Sequence, residues 1–94
     1  MAVTFEVVYH KAVVKDDIPR LSQPWKEKIQ NSIEEKLTSN PDFFGKPLRR
    51  SLKGYRKLRV GDYRVVFRIQ GARVLVLAIL HRSIVYQEAA LRSL

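Results

Sequence analysis

The sequence predicts an α+β domain in which two N-terminal helices pack on a twisted, mainly antiparallel four-stranded sheet, with a further helix at the C-terminus. Three observations carry this. Trp25, Ile29, Ile33 and Leu37 recur every four positions, the repeat of one helix face. β-Branched and aromatic residues then fill two segments joined at Gly61, and an unbroken apolar run follows at residues 74–80.

Residues 3–9 (VTFEVVY) alternate Val3, Phe5 and Val7 against Thr4 and Glu6, which predicts a first strand, placed inside the sheet. Residues 12–21 carry Val14, Ile18 and Leu21 on one helical stripe, and Pro19 predicts fraying near the end. Ser22 as N-cap and Pro24 in the first turn open a second helix that runs to residue 39, with mixed charges on its outer face. Asn40-Pro41 ends it, and residues 42–47 read as a loop in which Phe43 and Phe44 serve packing. Residues 52–60 and 62–69 form a hairpin about Gly61, and Gln70-Gly71 leads into a third strand at residues 73–80. Being apolar throughout, that strand is expected to be central and covered on both faces. Ser83 caps a last helix at residues 84–94, with Ile84, Ala90 and Leu91 as its inward stripe.

The chain of 94 residues reads as one domain, 1–94. With no cysteine it has neither disulfides nor a thiol nucleophile, and its two histidines alone do not make a zinc site, so no metal or cofactor is expected. No apolar run approaches the roughly 20 residues of a membrane helix, and the N-terminus lacks a signal-peptide layout, which predicts a soluble cytoplasmic protein with no membrane contact.

Charge is the functional signal. The net charge is +9, and residues 46–68 alone carry +8: Lys46, Arg49, Arg50, Lys53, Arg56, Lys57, Arg59, Arg64 and Arg68 against the single acid Asp62. So local an excess fits a polyanion such as RNA or a ribosome, though snorkelling lysines and arginines on a solvated edge would read the same way. Strand alternation puts Tyr55, Lys57 and Arg59 on one face and Arg56, Leu58 and Val60 on the other. On the next strand Arg64, Val66 and Arg68 oppose Val65, Phe67 and Ile69. Like charges facing one another across strands destabilise a sheet, and an anion between them would relieve the repulsion. A second group, His81, Arg82 and Tyr86, follows the apolar strand and brings imidazole, guanidinium and phenol to one sheet end.

The strings LKGYRKLRVGDYRVVFRI and ILHRSIVY, with the order of a strand, two helices and three strands, resemble the RelE/ParE superfamily of toxins from type II toxin–antitoxin pairs, over nearly the whole chain. The RelE-like branch implies a ribosome-dependent mRNA endoribonuclease acting in the A site without a metal. There a 2′-hydroxyl attacks the adjacent phosphate and leaves a 2′,3′-cyclic phosphate, and a cognate antitoxin neutralises the toxin. Matched by position, the resemblance implies catalytic roles for Lys57, Arg64, Arg82, Tyr86 and His81. RNA or ribosome binding falls to Lys46, Arg49, Arg50, Lys53, Arg56, Arg59 and Arg68. Tyr55 departs from the pattern, since it stands where RelE has a lysine. Two rivals remain on the same fold: a ParE-like poison of DNA gyrase, and a catalytically silent RNA-binding or interaction module.

Overall fold

The structure, a computed structural model, describes residues 4–94. Val3, assigned above to the first strand, lies outside them. Five strands form one sheet: β1 (Glu6–Tyr9), β2 (Lys46–Pro47), β3 (Arg56–Val60), β4 (Tyr63–Gln70) and β5 (Arg73–His81), in the order β1-β5-β4-β3-β2. β1 runs parallel to β5 and every other pairing is antiparallel.

Two expectations about the sheet are corrected. It has five strands because Lys46 and Pro47, read as loop, pair with Lys57 and Arg56. β1 is an edge strand, since the hairpin and β5 already occupy the interior positions. β5 is covered on both faces, as its composition requires.

Helix α1 covers residues 11–20 and includes a π-helical turn, Val13–Asp17, closed by a bond from the Ile18 amide to the Val13 carbonyl. The wide turn sets Val13, Asp17 and Leu21 inward and leaves Val14 exposed, so of the predicted stripe Leu21 is buried, Ile18 packs half-buried against the core, and only Val14 faces outward. Pro19 does not fray the helix, which continues as Ile18–Arg20. Helix α2 spans residues 23–37, Gln23–Ser32 followed by a second π-helical stretch, Ile33–Leu37. Its buried face is Ile29, Ile33 and Leu37, with Trp25 half-buried, as its four-residue period predicts. Ser22 holds the N-cap position through its carbonyl, which accepts from the Lys26 amide, while its hydroxyl makes no cap bond.

A short helix α3 (Pro41–Phe44) precedes β2. Phe43 is 79% exposed and Phe44 lies beside it at the surface, so neither plugs the core. The last helix, α4 (Val85–Arg92), begins after Ile84 and turns Val85 and Ala89 inward; Ile84 and Leu91, expected inside, are exposed. The tight turn at Gly61 and Asp62 joins β3 to β4, and Gly61 sits at φ +59°, which suits a residue without Cβ.

Apolar side chains fill both sides of the sheet. α1 and α2 pack on one face over Leu58, Val60, Val65, Phe67, Val74, Val76 and Ile79. α4 packs on the other over Leu52, Val66, Leu77, Ala78 and Leu80. A bulge between β4 and β5 at Val66/Phe67 shifts the alternation of β5, so Ile79 joins the face of Val74 and Val76. Beyond Val76, no strand among the described residues pairs with the outer side of β5. There Asp17 Oδ2 accepts from the Ile79 amide at 2.9 Å and Arg92 donates to the Leu77 carbonyl at 3.1 Å. The two side chains form a bidentate pair of their own at 2.7 and 2.8 Å. This buried pair ties α1, β5 and α4 together and satisfies backbone groups that a missing strand would leave bare.

Candidate nucleic-acid cleft

The hairpin places the central cations. In the β3–β4 register Arg59 faces Arg64 and Lys57 faces Val66, while Lys46 on β2 faces Lys57 from the other side. Lys46, Lys57, Arg59 and Arg64 therefore share one sheet face, the one that α4 partly covers. Together with Phe44 they line a recess of about 170 Å³.

The end of β5 and the start of α4 complete the site. Lys57, Arg64, His81, Arg82, Ser83 and Tyr86 line one open cleft of about 380 Å³, which has Lys57 and Arg64 in common with the recess. All five residues matched to catalytic positions thus meet in one place. Lys57 Nζ lies over the Tyr86 ring, 5.7 Å from its centroid, so the phenol and the ammonium are held against each other.

Both arginines are tied to the β3–β4 turn. One terminal nitrogen of Arg64 donates to the carbonyls of Gly61 at 2.8 Å and Tyr63 at 2.9 Å. The Arg82 amide donates to the Asp62 carbonyl at 2.8 Å, and its Nε stands 3.9 Å from Asp62 Oδ1 in an exposed pair. An exposed pair of that length contributes little to stability, so a phosphate can compete for the guanidinium.

His81 has a defined tautomer. The Ser83 amide donates to His81 Nδ1 at 3.2 Å, and since an amide N–H cannot accept, the neutral ring carries its proton on Nε2. The Ser83 hydroxyl, expected to cap α4, contacts the same Nδ1 at 2.8 Å. The ring is set edge-on against Tyr63, which meets the Trp25 ring at a tilt of 51° with centroids 4.8 Å apart. A row of aromatics therefore runs from the core to the cleft.

The remaining basic residues separate. Arg56 points to the other face, where one terminal nitrogen donates to the carbonyls of Asp42 and Gly45 and secures the end of α3. Arg49, Arg50 and Lys53 are exposed on the connection around a 3₁₀ turn, Arg50–Leu52, outside the cleft lining. Arg68 is exposed toward the far end of β4, over the Tyr55 ring. An apolar recess of about 290 Å³ between α1, α2 and β5 contains none of the site residues. Sequence reasoning missed Asp17 and Arg92, because a carboxylate and a guanidinium 75 residues apart leave no local pattern. Among the described residues no cluster of three or more His, Cys, Asp or Glu could hold a metal ion. No helix among them is long and apolar enough to cross a membrane.

A mixed sheet with a helical pair on one face, one helix on the other and a cationic cleft at the hairpin defines the small α+β toxin fold of the RelE/YafQ type. The chain belongs to the family described as ParE toxin of type II toxin–antitoxin systems, whose profile matches residues 7–86. It is RelE-like within that class: it is 36% identical to Toxin RelE of Mycobacterium tuberculosis over 84 residues, 84% of this chain and 87% of that protein. The toxin–antitoxin complex RelBE2 of M. tuberculosis contains a chain that superposes with a TM-score of 0.78 at 29% identity, covering 86% of this chain and 94% of that one. YafQ of E. coli, solved as its H87Q mutant, shares the fold at a TM-score of 0.57 and 15% identity, covering 84% and 94%.

Proposed function

We propose that this toxin is an mRNA endoribonuclease that cuts transcripts in the ribosomal A site. The observation that carries the reading is the convergence of Lys57, Arg64, His81, Arg82 and Tyr86 on one open cationic cleft. In the proposed reaction the ribose 2′-hydroxyl passes its proton to water as its oxygen bonds to the adjacent phosphorus. The P–O5′ bond breaks, the leaving oxygen takes a proton, and a 2′,3′-cyclic phosphate remains. Arg64 and Arg82 hold the phosphate oxygens as charge grows on them, and Lys57 supports them from the sheet. The Tyr86 hydroxyl, or the His81 ring in its protonated form, supplies the proton that the leaving oxygen takes. Its openness suits a transcript positioned by a larger assembly.

A cognate antitoxin is the proposed partner, by extension from the solved RelBE2 complex. Acidic side chains laid over the cleft would relieve the repulsion between Arg59 and Arg64. This covering mode is favoured over displacement of α4, because displacement would break the buried Asp17–Arg92 pair.

The second reading, a ParE-like gyrase poison, is kept because the matching family is described as ParE toxin. Mapping transcript ends after induction in cells separates the two. Internal cuts within codons that leave cyclic phosphate ends support the nuclease. Growth arrest with intact transcripts and altered plasmid supercoiling overturns it.

A further inference from the structure

On the cleft side of the sheet, side chains stack in rows two residues apart: Arg59 with Arg64, then Lys57 with Val66. The register pairs Arg56 with Phe67 on the other face, so one residue further on Tyr55 stands opposite Arg68 on the cleft side. The Arg68 guanidinium lies over the Tyr55 ring, 5.7 Å from its centroid. The neighbouring row repeats the device, with Lys57 over Tyr86. Two residues along a strand span about 6.6–6.8 Å, so Tyr55 and Lys57 stand one short step apart, and each of the two cations, Arg68 and Lys57, has its own phenol ring.

The Tyr55 ring is steadied by packing against the cluster of Leu52 and Val66. Arg68 is exposed, none of the ion pairs among the described residues engages it, and along the strand its Nη2 and Nε donate to the Gln70 side-chain oxygen at 2.6 and 3.1 Å, which leaves the outer face of the guanidinium plane open. Packing alone does not call for a permanently charged planar group over the ring, since a neutral stem would cover it as well. A guanidinium plane beside a phenol is a stacking surface for a base, tolerant of sequence because every base has a π-face.

We propose that Tyr55 and Arg68 form a nucleobase-stacking subsite for single-stranded RNA, one row from Lys57 and Tyr86. This rests on RNA being the ligand of the cleft, as proposed above. A base held there fixes the position of the neighbouring phosphate over Lys57 and Arg64 before any chemistry, which is positioning rather than catalysis.

The test uses the whole protein and a short 2′-O-methyl RNA strand, which has no free 2′-hydroxyl and cannot be cut, at low ionic strength. A matching strand carries abasic positions. The wild type is expected to bind the abasic strand about 5- to 150-fold more weakly, the range of one lost base stack. Tyr55→Leu keeps an apolar contact but no ring, so it should bind the intact strand weakly by a similar factor and distinguish the two strands less. Arg68→Gln, at an exposed position that leaves folding intact, should lose affinity in the same direction and decides the matter if Tyr55→Leu fails to fold. Wild-type affinity in Arg68→Gln, undiminished discrimination in a folded Tyr55→Leu, or no binding by the wild type would overturn the proposal. Transcript cutting by the wild type is scored in parallel. Cutting without sensitivity to abasic positions removes the subsite and leaves the nuclease standing, whereas abasic-sensitive binding without cutting removes the nuclease and keeps the subsite.

Discussion

Replacing Arg92 with alanine should be among the most damaging single changes outside the cleft. The Arg92 guanidinium donates twice to Asp17 and once to the Leu77 carbonyl. The Asp17 side chain is wholly shielded and that of Arg92 is 12% exposed. Its hydrogen bonds to Asp17 hold the guanidinium pKa above the ordinary arginine value against the opposing effect of burial. In Arg92→Ala the Asp17 carboxylate stays buried with only the Ile79 amide as donor, and the Leu77 carbonyl loses its side-chain partner. Removing one member of such a pair costs about 3–5 kcal/mol. A domain of 94 residues has about 5–14 kcal/mol in total. At about 4–8 °C per kcal/mol for this size, the melting temperature should fall by at least about 12 °C. The double variant Asp17→Asn/Arg92→Met removes both charges, keeps an acceptor for the Ile79 amide and refills the arginine stem, and should recover at least half of the loss. Urea titrations followed by the fluorescence of Trp25, the single tryptophan, measure all three proteins. A stability for Arg92→Ala within about 1 kcal/mol of wild type at unchanged m value would refute the argument, because an unpaired buried carboxylate cannot cost so little.

Arg64→Ala should stay folded, since it gives up only bonds to the turn carbonyls, yet lose about 10²–10³ in cleavage rate; Arg64→Lys should recover part of this, and wild-type cutting by a folded Arg64→Ala would exclude the residue from the mechanism. Gly61→Ala forces a Cβ to 2.6 Å from the Trp25 ring at φ +59°, so a destabilisation of about 1–3 kcal/mol is expected, readable as a shifted urea midpoint. With Lys46, Lys57, Arg59 and Arg64 each on a phosphate, the logarithm of RNA affinity should fall against log salt with a slope near about −3; a flat response would show that the cleft does not bind phosphates. Burial, with a lesser effect of Glu34, raises the Tyr9 phenol pKa, and Arg92 is raised as well. Both groups hold their protons more tightly when folded. Their contribution is therefore complete below the unfolded phenol value of about 10 and is lost as pH rises through the folded values, which unfolding titrations from neutral to alkaline pH would follow.

The sequence by itself determined what depends on neighbours along the chain. The face of Ile29, Ile33 and Leu37, the hairpin turning at Gly61, the alternation that separates Lys57 and Arg64 from Arg56 and Val65, and the local excess of charge all follow from fixed helical and strand periods. Those periods place side chains without reference to the rest of the molecule. The string around GDYRVVF carried the family for the same reason.

Only the tertiary structure decided the rest. β1 lies at the edge because β4 and β1 take the two sides of β5, and no local pattern encodes that order. The run at residues 74–80 is apolar at every position, so it could not reveal the bulge that sends Ile79 to one face and Ala78 and Leu80 to the other. The π-helical turn moved burial from Val14 to Val13, and α4 turned Val85 and Ala89 inward in place of Ile84 and Leu91, since each apolar stripe follows the surface it meets. Asp17 reads as one acid among several until β1 ends at Tyr9 and leaves backbone groups of β5 without a strand partner. Its partner Arg92, 75 residues away, comes within 2.7 Å only after the sheet has formed and α4 has closed over it, because the attraction that fixes the pair arises from a burial that the unfolded chain does not possess.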